Sequence, residues 1–343
     1  MVFHFIRFSG SELCEALSTV CKGALRSSAP LPLERRKTEL KNVLVMGGSY
    51  FLGRIFCIFA SRGDDMELTL VNRGRYAMTQ YPHLTEHRCD RHDALGLERL
   101  PEREYDAAVD LCAYAPGDIS LLLEHLPGTV KQYILISTAD VYDRKPEEAA
   151  DEDFPLRTAL EAGTVGEYIR HKCLLEEEAR RECEKRGIAL TVLRPAFIYG
   201  PFNYAPRESW YVQRIVRGEE IPVPGDAAAR FQFVFVKDAA EAILACIRQP
   251  GAANRAYNLA APEVLDYPAF MAALAAASDR PFTTREVTVE EVLRENIPLP
   301  FPLAREESEL FRGDRITREL GLAYTPFGEG LATTFKAFRS VYE

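Results

Sequence analysis

An apolar segment that runs directly into closely spaced glycines constrains the fold of this chain more than any other feature. The segment VLVMGGSYFLGR occupies residues 43–54 and is followed by an amphipathic stretch. Gly47 fits the tight turn that follows a buried strand, and Gly53 would let the next helix pack closely against that strand. This order of strand, glycine turn and helix predicts a dinucleotide-binding fold.

Tyr50 is the one residue of this turn that departs from the expected pattern, because it occupies the place of the middle glycine. That glycine normally lets the backbone approach the cofactor pyrophosphate closely. The tyrosine side chain either points away from the pyrophosphate or lays its hydroxyl group against a phosphate oxygen, and both alternatives stay open. The residues expected to bind the cofactor here are Gly47, Gly48, Ser49, Tyr50, Phe51, Leu52 and Gly53.

Short apolar segments alternate with helical stretches over the first two thirds of the chain. The predicted strands cover residues 42–46, 67–71, 107–111, 132–137 and 189–193. Such alternation predicts an α/β fold with a doubly wound parallel sheet, Rossmann-like, and right-handed crossovers.

The predicted domain organisation follows from a change in the sequence pattern after Arg194, where proline and glycine turns become frequent. We expect a dinucleotide-binding domain over residues 41–195, to which residues 230–250 return. A smaller C-terminal substrate-binding lobe would comprise residues 196–229 and 251–343. Residues 1–40 are expected to be an N-terminal extension, as an extra helix or a poorly ordered tail, without a secretory signal pattern.

Composition argues against several classes of protein. No apolar run approaches the ~18 residues that a membrane helix needs, so no membrane span is expected. The net charge of −9 argues against a protein that mainly binds nucleic-acid phosphates. The eight cysteines form no C-x-x-C pair, which disfavours metal sites and disulfides and favours reduced thiols in a cytoplasmic enzyme.

Tyr168 and Lys172 are the first candidate catalytic pair. They lie four residues apart in a predicted helix over residues 163–188 and therefore share one helix face. An ammonium group about 4 Å from a phenol contributes roughly 4 kcal/mol, which would lower the phenol pKa by about three units. The phenol could then exchange protons near neutral pH. Coincidence is the alternative, since this spacing alone is not specific. The acidic run at residues 176–178 of the same helix is typical of a solvated face.

A Ser137–Thr138 pair ends the predicted strand at residues 132–137, at the sheet edge where parallel sheets place reactive groups. One of these hydroxyl groups could hold the substrate oxygen together with Tyr168. The alternative is that both hydroxyl groups only satisfy the loop backbone. Arg194, between a strand and a proline turn, is equally open to a structural ion pair and to substrate contact.

Five motifs in order, covering residues 42 to about 280, resemble the extended short-chain dehydrogenase/reductase family of NAD(P)-dependent epimerases and dehydratases. They are the strand with MGGSYFLG, STADVY, Tyr168-x-x-x-Lys172, LRPAFIYGP and FVFVKDAAEAI. The resemblance implies that Thr138 occupies the catalytic Ser/Thr position, that Tyr168 is the acid–base and that Lys172 binds the nicotinamide ribose. It also implies that Asp90 contacts the adenine.

Two departures from that family narrow the expected reaction. Its sugar dehydratases follow the Ser/Thr with Asp and Glu, whereas this chain has Ala139 and Asp140, so dehydration is not expected. Its nucleotide-sugar epimerases place a diphosphate-binding Arg where this chain has Phe231, with Arg230 one residue early. The chain resembles instead a less characterised branch that includes bacterial reductase-like proteins and chloroplast stem-loop RNA-binding proteins.

The cofactor preference is predicted from the end of the second strand. NAD-selective folds place an Asp or Glu about 20 residues beyond the glycine turn, whereas this chain has Asn72, followed by Arg73 and Arg75. Guanidinium groups suit a 2′-phosphate, so NADP is expected to be preferred over NAD.

We therefore expect an NAD(P)-dependent oxidoreductase or epimerase that moves a hydride to or from a hydroxyl or keto carbon of a small-molecule substrate. A sugar nucleotide or a similar small molecule would be that substrate. A homodimer is the oligomeric state considered, and no metal is expected. The alternative is a non-catalytic nucleotide- or RNA-binding protein on the same fold.

Overall fold

The structure is a computed structural model that describes residues 40–158, 162–203 and 205–343. Its strands are β1 (Lys41–Met46), β2 (Met66–Asn72), β3 (Leu84–Arg88), β4 (Arg103–Tyr105), β5 (Ala107–Asp110), β6 (Gly128–Val130), β7 (Gln132–Ile136), β8 (Ala189–Pro195), β9 (Phe197–Tyr199), β10 (Ile221–Pro224), β11 (Phe231–Phe235), β12 (Arg255–Leu259), β13 (Val264–Leu265) and β14 (Thr284–Val287). Its α-helices are α1 (Phe51–Ala60), α2 (Ala94–Leu97), α3 (Asp118–His125), α4 (Thr164–Arg186), α5 (Glu208–Arg217), α6 (Val236–Arg248), α7 (Tyr267–Ala277), α8 (Val289–Arg294), α9 (Asp314–Leu320) and α10 (Phe327–Tyr342). The predicted N-terminal extension lies outside the described residues, except for Leu40.

Seven strands form one parallel sheet in the order β3-β2-β1-β5-β7-β8-β12. Every neighbouring pair is parallel, and Val45 of β1 lies between Leu70 of β2 and Val109 of β5. The strand order changes direction between β1 and β5, which is where open α/β sheets bind ligands at the carboxyl ends of their strands. The predicted doubly wound α/β fold is confirmed.

Strand β1 is apolar throughout its second half because both faces of the sheet are covered. Val43 and Val45 pack into one core cluster, while Leu44 and Met46 pack into another. All four side chains are 0–1% exposed. Burying an aliphatic side chain of this size contributes about 1.5–3 kcal/mol, so this strand fixes the centre of the fold.

Two strands of the sheet were not predicted from the sequence. Strand β3 is a polar edge strand whose residues are all at least partly exposed, so it lacks an apolar run. Strand β12 lies in the range assigned to the substrate lobe, yet it pairs with β8 at the other edge of the main sheet. Conversely, β11 lies in a separate three-stranded sheet with β9 and β13, while α6 packs against α1. The chain thus passes between the main sheet and the substrate-binding lobe more often than its sequence pattern indicates.

Membrane-spanning helices and clustered metal ligands are both absent from the described ranges. None of the helices there combines the length and the apolar character that crossing a membrane requires. No three His, Cys, Asp or Glu side chains within those ranges are grouped so that they could hold a metal ion. The six cysteines that lie there are free thiols.

Candidate cofactor and substrate cleft

A cleft of about 1180 Å³ opens at the carboxyl ends of β1, β2, β5, β7 and β8. The glycine turn lines one side of it, and the start of α5 lines the opposite end. The structure brings together at this cleft all predicted site residues except Gly48: Gly47, Ser49, Tyr50, Phe51, Leu52, Gly53, Asn72, Arg73, Arg75, Asp90, Thr138, Tyr168 and Lys172.

The glycines of the turn are required by close backbone packing. Gly47 has φ +84°, and a Cβ atom there would lie 2.7 Å from the Cβ of Cys112. A Cβ on Gly53 would lie 2.7 Å from the Cα of Gly48, so the start of α1 packs directly on the turn. Gly48 faces the core, where a Cβ would lie 2.7 Å from a methyl group of Val45. This bare, tightly packed turn beside a cleft fits the pyrophosphate of a dinucleotide.

Tyr50 does not need to be glycine, because its backbone is extended with φ −129°. Its ring lies beside the ring of Tyr76, with centroids 6.4 Å apart and planes 26° apart. Tyr50 is 41% exposed, and both rings line the cleft. The bulky residue is therefore directed towards the connection that follows β2, where it adds an aromatic wall to the site.

The residues after β2 lie at the end of the cleft where the adenosine is expected. The Asn72 side chain accepts a hydrogen bond from the backbone N–H of Gly74 and donates one to Glu86 at 2.9 Å, so it stabilises the turn. Arg73 and Arg75 are exposed and line the cleft. A backbone hydrogen bond from His92 is the main cause that lowers the pKa of Asp90, and the charge of Arg73 adds to it.

Arg91 and Asp110 form a buried ion pair beneath this part of the cleft that sequence reasoning missed. The two guanidinium nitrogens of Arg91 lie 3.0 and 3.1 Å from the two carboxylate oxygens of Asp110. Asp110 is fully buried and also accepts hydrogen bonds from the Tyr133 hydroxyl and the Cys112 backbone. Burial alone would raise the pKa of Asp110, but Arg91 and these hydrogen bonds lower it. Arg91 directly follows Asp90 in the sequence. No spacing or charge pattern there indicated that Arg91 would be buried in an ion pair.

Lys172 lines the cleft and is held in place by two backbone carbonyls. Its ammonium group is 3% exposed and donates hydrogen bonds to the carbonyls of Ala113 at 2.9 Å and Ile136 at 3.0 Å. Burial lowers its pKa to about 8, against the opposing effect of Asp110. An ammonium group has three N–H donors. Two are used by these carbonyls, so one is left for a hydroxyl group in the cleft.

Tyr168 lies beside Thr138, but its predicted pKa shift is wrong. Burial is the largest cause that raises the pKa of Tyr168 above its ordinary value, and the charge of Asp140 adds to it. The Lys172 ammonium group, which donates to two carbonyls, lies 5.8 Å from the centre of the phenol ring and is not among the main causes that act on this pKa. The Thr138 side chain acts in the opposite direction on the pKa of Tyr168, so the two predicted catalytic groups are neighbours in the cleft.

The hydroxyl group of Ser137 has a structural partner, whereas Thr138 remains a candidate to contact the substrate in the cleft. Ser137 donates to Glu176 at 2.6 Å, away from Tyr168. Glu176 in turn accepts two hydrogen bonds of 3.0 and 2.6 Å from Arg194, so Arg194 forms the structural ion pair and does not line the cleft. The acidic run is therefore not a solvated face, since Glu176 and Glu178 are both buried.

Neither Arg230 nor Phe231 lines the substrate end of the cleft. Phe231 is fully buried, and Arg230 forms an ion pair with Glu147 at 3.0 Å instead of lining the cleft. Arg207, which sequence reasoning did not select, lines the cleft with its guanidinium group 5.0 Å from the centre of the Phe197 ring. Glu309 lines the same end and was also missed.

Comparisons with known proteins agree with this geometry. A model of the NAD dependent epimerase/dehydratase family matches residues 43–260. The chain is 29% identical over 279 residues to the chloroplast stem-loop binding protein of 41 kDa b from Arabidopsis thaliana, which covers 76% of this chain and 67% of that protein.

Two solved structures of sugar-nucleotide epimerases have the same fold. The UDP-glucuronic acid 4-epimerase from Bacillus cereus in complex with NAD has a TM-score of 0.70 at 15% identity, covering 88% of this chain and 100% of that chain. The UDP-glucose 4-epimerase from Thermus thermophilus in complex with NAD has a TM-score of 0.68 at 20% identity, covering 87% and 99%. At these identities the likeness concerns the fold alone.

Proposed function

Because the chain belongs to the NAD dependent epimerase/dehydratase family, we propose that it is an NAD(P)-dependent oxidoreductase or epimerase of the extended short-chain type. When bound, the nicotinamide would exchange a hydride with a substrate carbon that carries a hydroxyl or keto group. The observation that supports this proposal most is that Thr138, Tyr168 and Lys172 meet the glycine turn in one cleft. The substrate is a small molecule whose reacting oxygen reaches Tyr168.

The hydrogen-bonding groups of the cleft side chains suit them to different roles in the reaction. Thr138 and Tyr168 would hold the reacting oxygen, and Tyr168 would pass the proton to or from it. Because the pKa of Tyr168 is raised, the phenol is protonated at neutral pH and is ready to act as an acid. Lys172 would donate its third N–H to a ribose hydroxyl and so fix the cofactor relative to Tyr168.

The proposal is tested first by the content of the purified protein. The full chain is denatured, and released nucleotides are separated and identified by mass spectrometry. A nicotinamide dinucleotide is expected to be released. If none is released and neither NAD(H) nor NADP(H) binds in calorimetric titration, the proposed enzyme is ruled out.

NADP(H) is expected to bind at least tenfold tighter than NAD(H), because Asn72 brings no negative charge and Arg73 and Arg75 line the cleft. One charge-assisted hydrogen bond is worth roughly 1.5–3 kcal/mol, or about 10- to 150-fold in affinity. Arg73→Ala should remove most of the difference, measured by calorimetric titration of both cofactors. The control is Arg88→Ala, a nearby exposed arginine that is not among the lining residues. Equal or tighter binding of NAD(H) by the wild type would refute the preference.

RNA binding is the second candidate function, and the observation that favours it is the name of the Arabidopsis relative, a stem-loop binding protein. The net charge of −9 opposes it, since phosphate binding depends on an excess of Lys and Arg at the contact surface. The candidate catalytic residues at the cleft also favour an enzyme over a protein that only binds.

Binding of an RNA hairpin is expected to be weak and to disappear between about 50 and 200 mM salt, since it would rest on local phosphate contacts alone. Fluorescence anisotropy with a labelled hairpin, and with a single strand of equal length as control, measures this. Nanomolar binding of the hairpin alone that persists at the higher salt concentration would favour the RNA-binding function.

A further inference from the structure

Glu309 reaches the substrate end of the cleft from a part of the chain far from the catalytic motifs. It belongs to residues 308–311, which lie along β11. The backbone N–H of Glu309 donates to the carbonyl of Arg230 at 2.8 Å, and the backbone N–H of Arg230 donates to the Ser308 hydroxyl at 3.1 Å. This double attachment fixes the backbone of Glu309 beside the cleft.

The carboxyl group of Glu309 is half-buried, yet it has no ion pair or side-chain hydrogen bond with the residues that the structure describes. It lines the same cleft as Thr138, Asp140 and Tyr168. A carboxyl group that is open to the cleft and has no protein partner is free to exchange hydrogen bonds with a ligand there.

The charged groups that face Glu309 are Asp140, Arg144, Arg157 and Arg207. Arg144 donates to the carbonyl of Ser308, and Arg157 donates to the carbonyl of Tyr142 at 3.0 Å. Burial is the main cause that raises the pKa of Glu309 to about 8, with Asp140 adding to it and the three arginines opposing it. At neutral pH the carboxyl group is therefore mostly protonated.

We propose that Glu309 presents an un-ionised carboxyl group to the cleft and donates a hydrogen bond to a substrate oxygen near the one that Tyr168 holds. Asp140 links the two groups, because it accepts a hydrogen bond from Thr138 at 2.8 Å and its charge acts on both Tyr168 and Glu309. That a substrate oxygen accepts this hydrogen bond rests on the proposed function. The protonation of Glu309 and the exposure of its carboxyl group to the cleft do not.

Glu309 adds a second hydrogen-bond donor at the substrate end of the cleft that Tyr168 also lines. Ala139, which directly follows Thr138, is fully buried and offers no such group. A substrate with at least two oxygen substituents would use the whole site.

Infrared spectroscopy of the full-length protein tests the proton directly. The carbonyl stretch of an un-ionised carboxyl group is expected at neutral pH, to be lost in Glu309→Gln and to disappear in the wild type with a midpoint near pH 8. Glu306→Gln is the matched control, since Glu306 is an exposed glutamate three residues earlier in the chain. A wild-type spectrum that Glu309→Gln leaves unchanged would overturn the proposal.

Exposure to the cleft is tested by labelling with dicyclohexylcarbodiimide, which reacts with protonated carboxyl groups. Peptide mass spectrometry should show modification of Glu309 at neutral pH in preference to Glu306. Equal labelling of both residues, or no labelling of Glu309, would overturn the proposal. Because neither measurement needs turnover, both results stand apart from the outcome of the proposed enzymatic function.

Discussion

Replacing Tyr168 with phenylalanine is expected to lower turnover by about 10²–10⁴-fold while leaving cofactor affinity nearly unchanged. Only the phenolic oxygen is lost, so the ring still forms the wall of the cleft. Lys172 keeps its hydrogen bonds to Ala113 and Ile136, which do not depend on Tyr168. The measurement is kcat with any alcohol or ketone that the wild type converts, together with calorimetric titration of the cofactor.

Tyr114→Phe is the matched control for this substitution. Tyr114 also lines the cleft, and the Lys172 ammonium group lies 5.0 Å from the centre of its ring. Loss of its hydroxyl group should change turnover only slightly, since no catalytic role is assigned to it. Lys172→Ala, by contrast, should weaken both turnover and cofactor binding. Full activity in Tyr168→Phe would remove Tyr168 from the mechanism.

The parts of the fold that the sequence predicted are those governed by local periodicity. Strand β1 reads as a continuous apolar run because helices cover both of its faces. Tyr168 and Lys172 meet because a spacing of four places two residues on one face of any helix. The glycine turn was recognisable because only glycine avoids the contact that a Cβ at position 53 would make with Gly48.

The electrostatics of the site were harder to predict, because they depend on burial and on partners far away in the chain. The spacing of Tyr168 and Lys172 was identified correctly, but the effect on the phenol pKa was not, since burial and the charge of Asp140 raise that pKa. Glu176 belongs to an acidic run that is typical of an exposed helix face, yet its side chain is buried in an ion pair with Arg194. Glu309 carries no local signal, because its position depends on the pairing of its backbone with β11.

The second large effect is expected from Arg91→Met, which should lower the free energy of unfolding by about 3–5 kcal/mol. The substitution leaves the carboxylate of Asp110 fully buried without its ionic partner. The hydrogen bonds from Tyr133 and Cys112 remain, but they do not neutralise the charge. Denaturant unfolding measures the loss. The matched control is Asp90→Asn at the adjacent exposed position, where a change within about 0.5 kcal/mol is expected.

The pH dependence of this loss distinguishes an uncompensated charge from a packing defect. In the wild type the pKa of Asp110 is lowered, so its contribution is complete above the unfolded carboxyl pKa of about 4 and is lost as the pH falls through the lower folded value. In Arg91→Met the sign reverses, because burial without a partner raises the folded pKa and favours the protonated carboxyl group. The deficit relative to the wild type should therefore be largest near neutral pH and shrink as the pH is lowered towards about 4. Arg91→Met combined with Asp110→Asn should lose less stability than Arg91→Met alone at neutral pH, since position 110 then carries no buried charge and only the carboxylate of Asp118 still lacks Arg91. A deficit that stays constant with pH, or a double variant that is no more stable than the single one, would show that Arg91 acts through packing rather than through its charge.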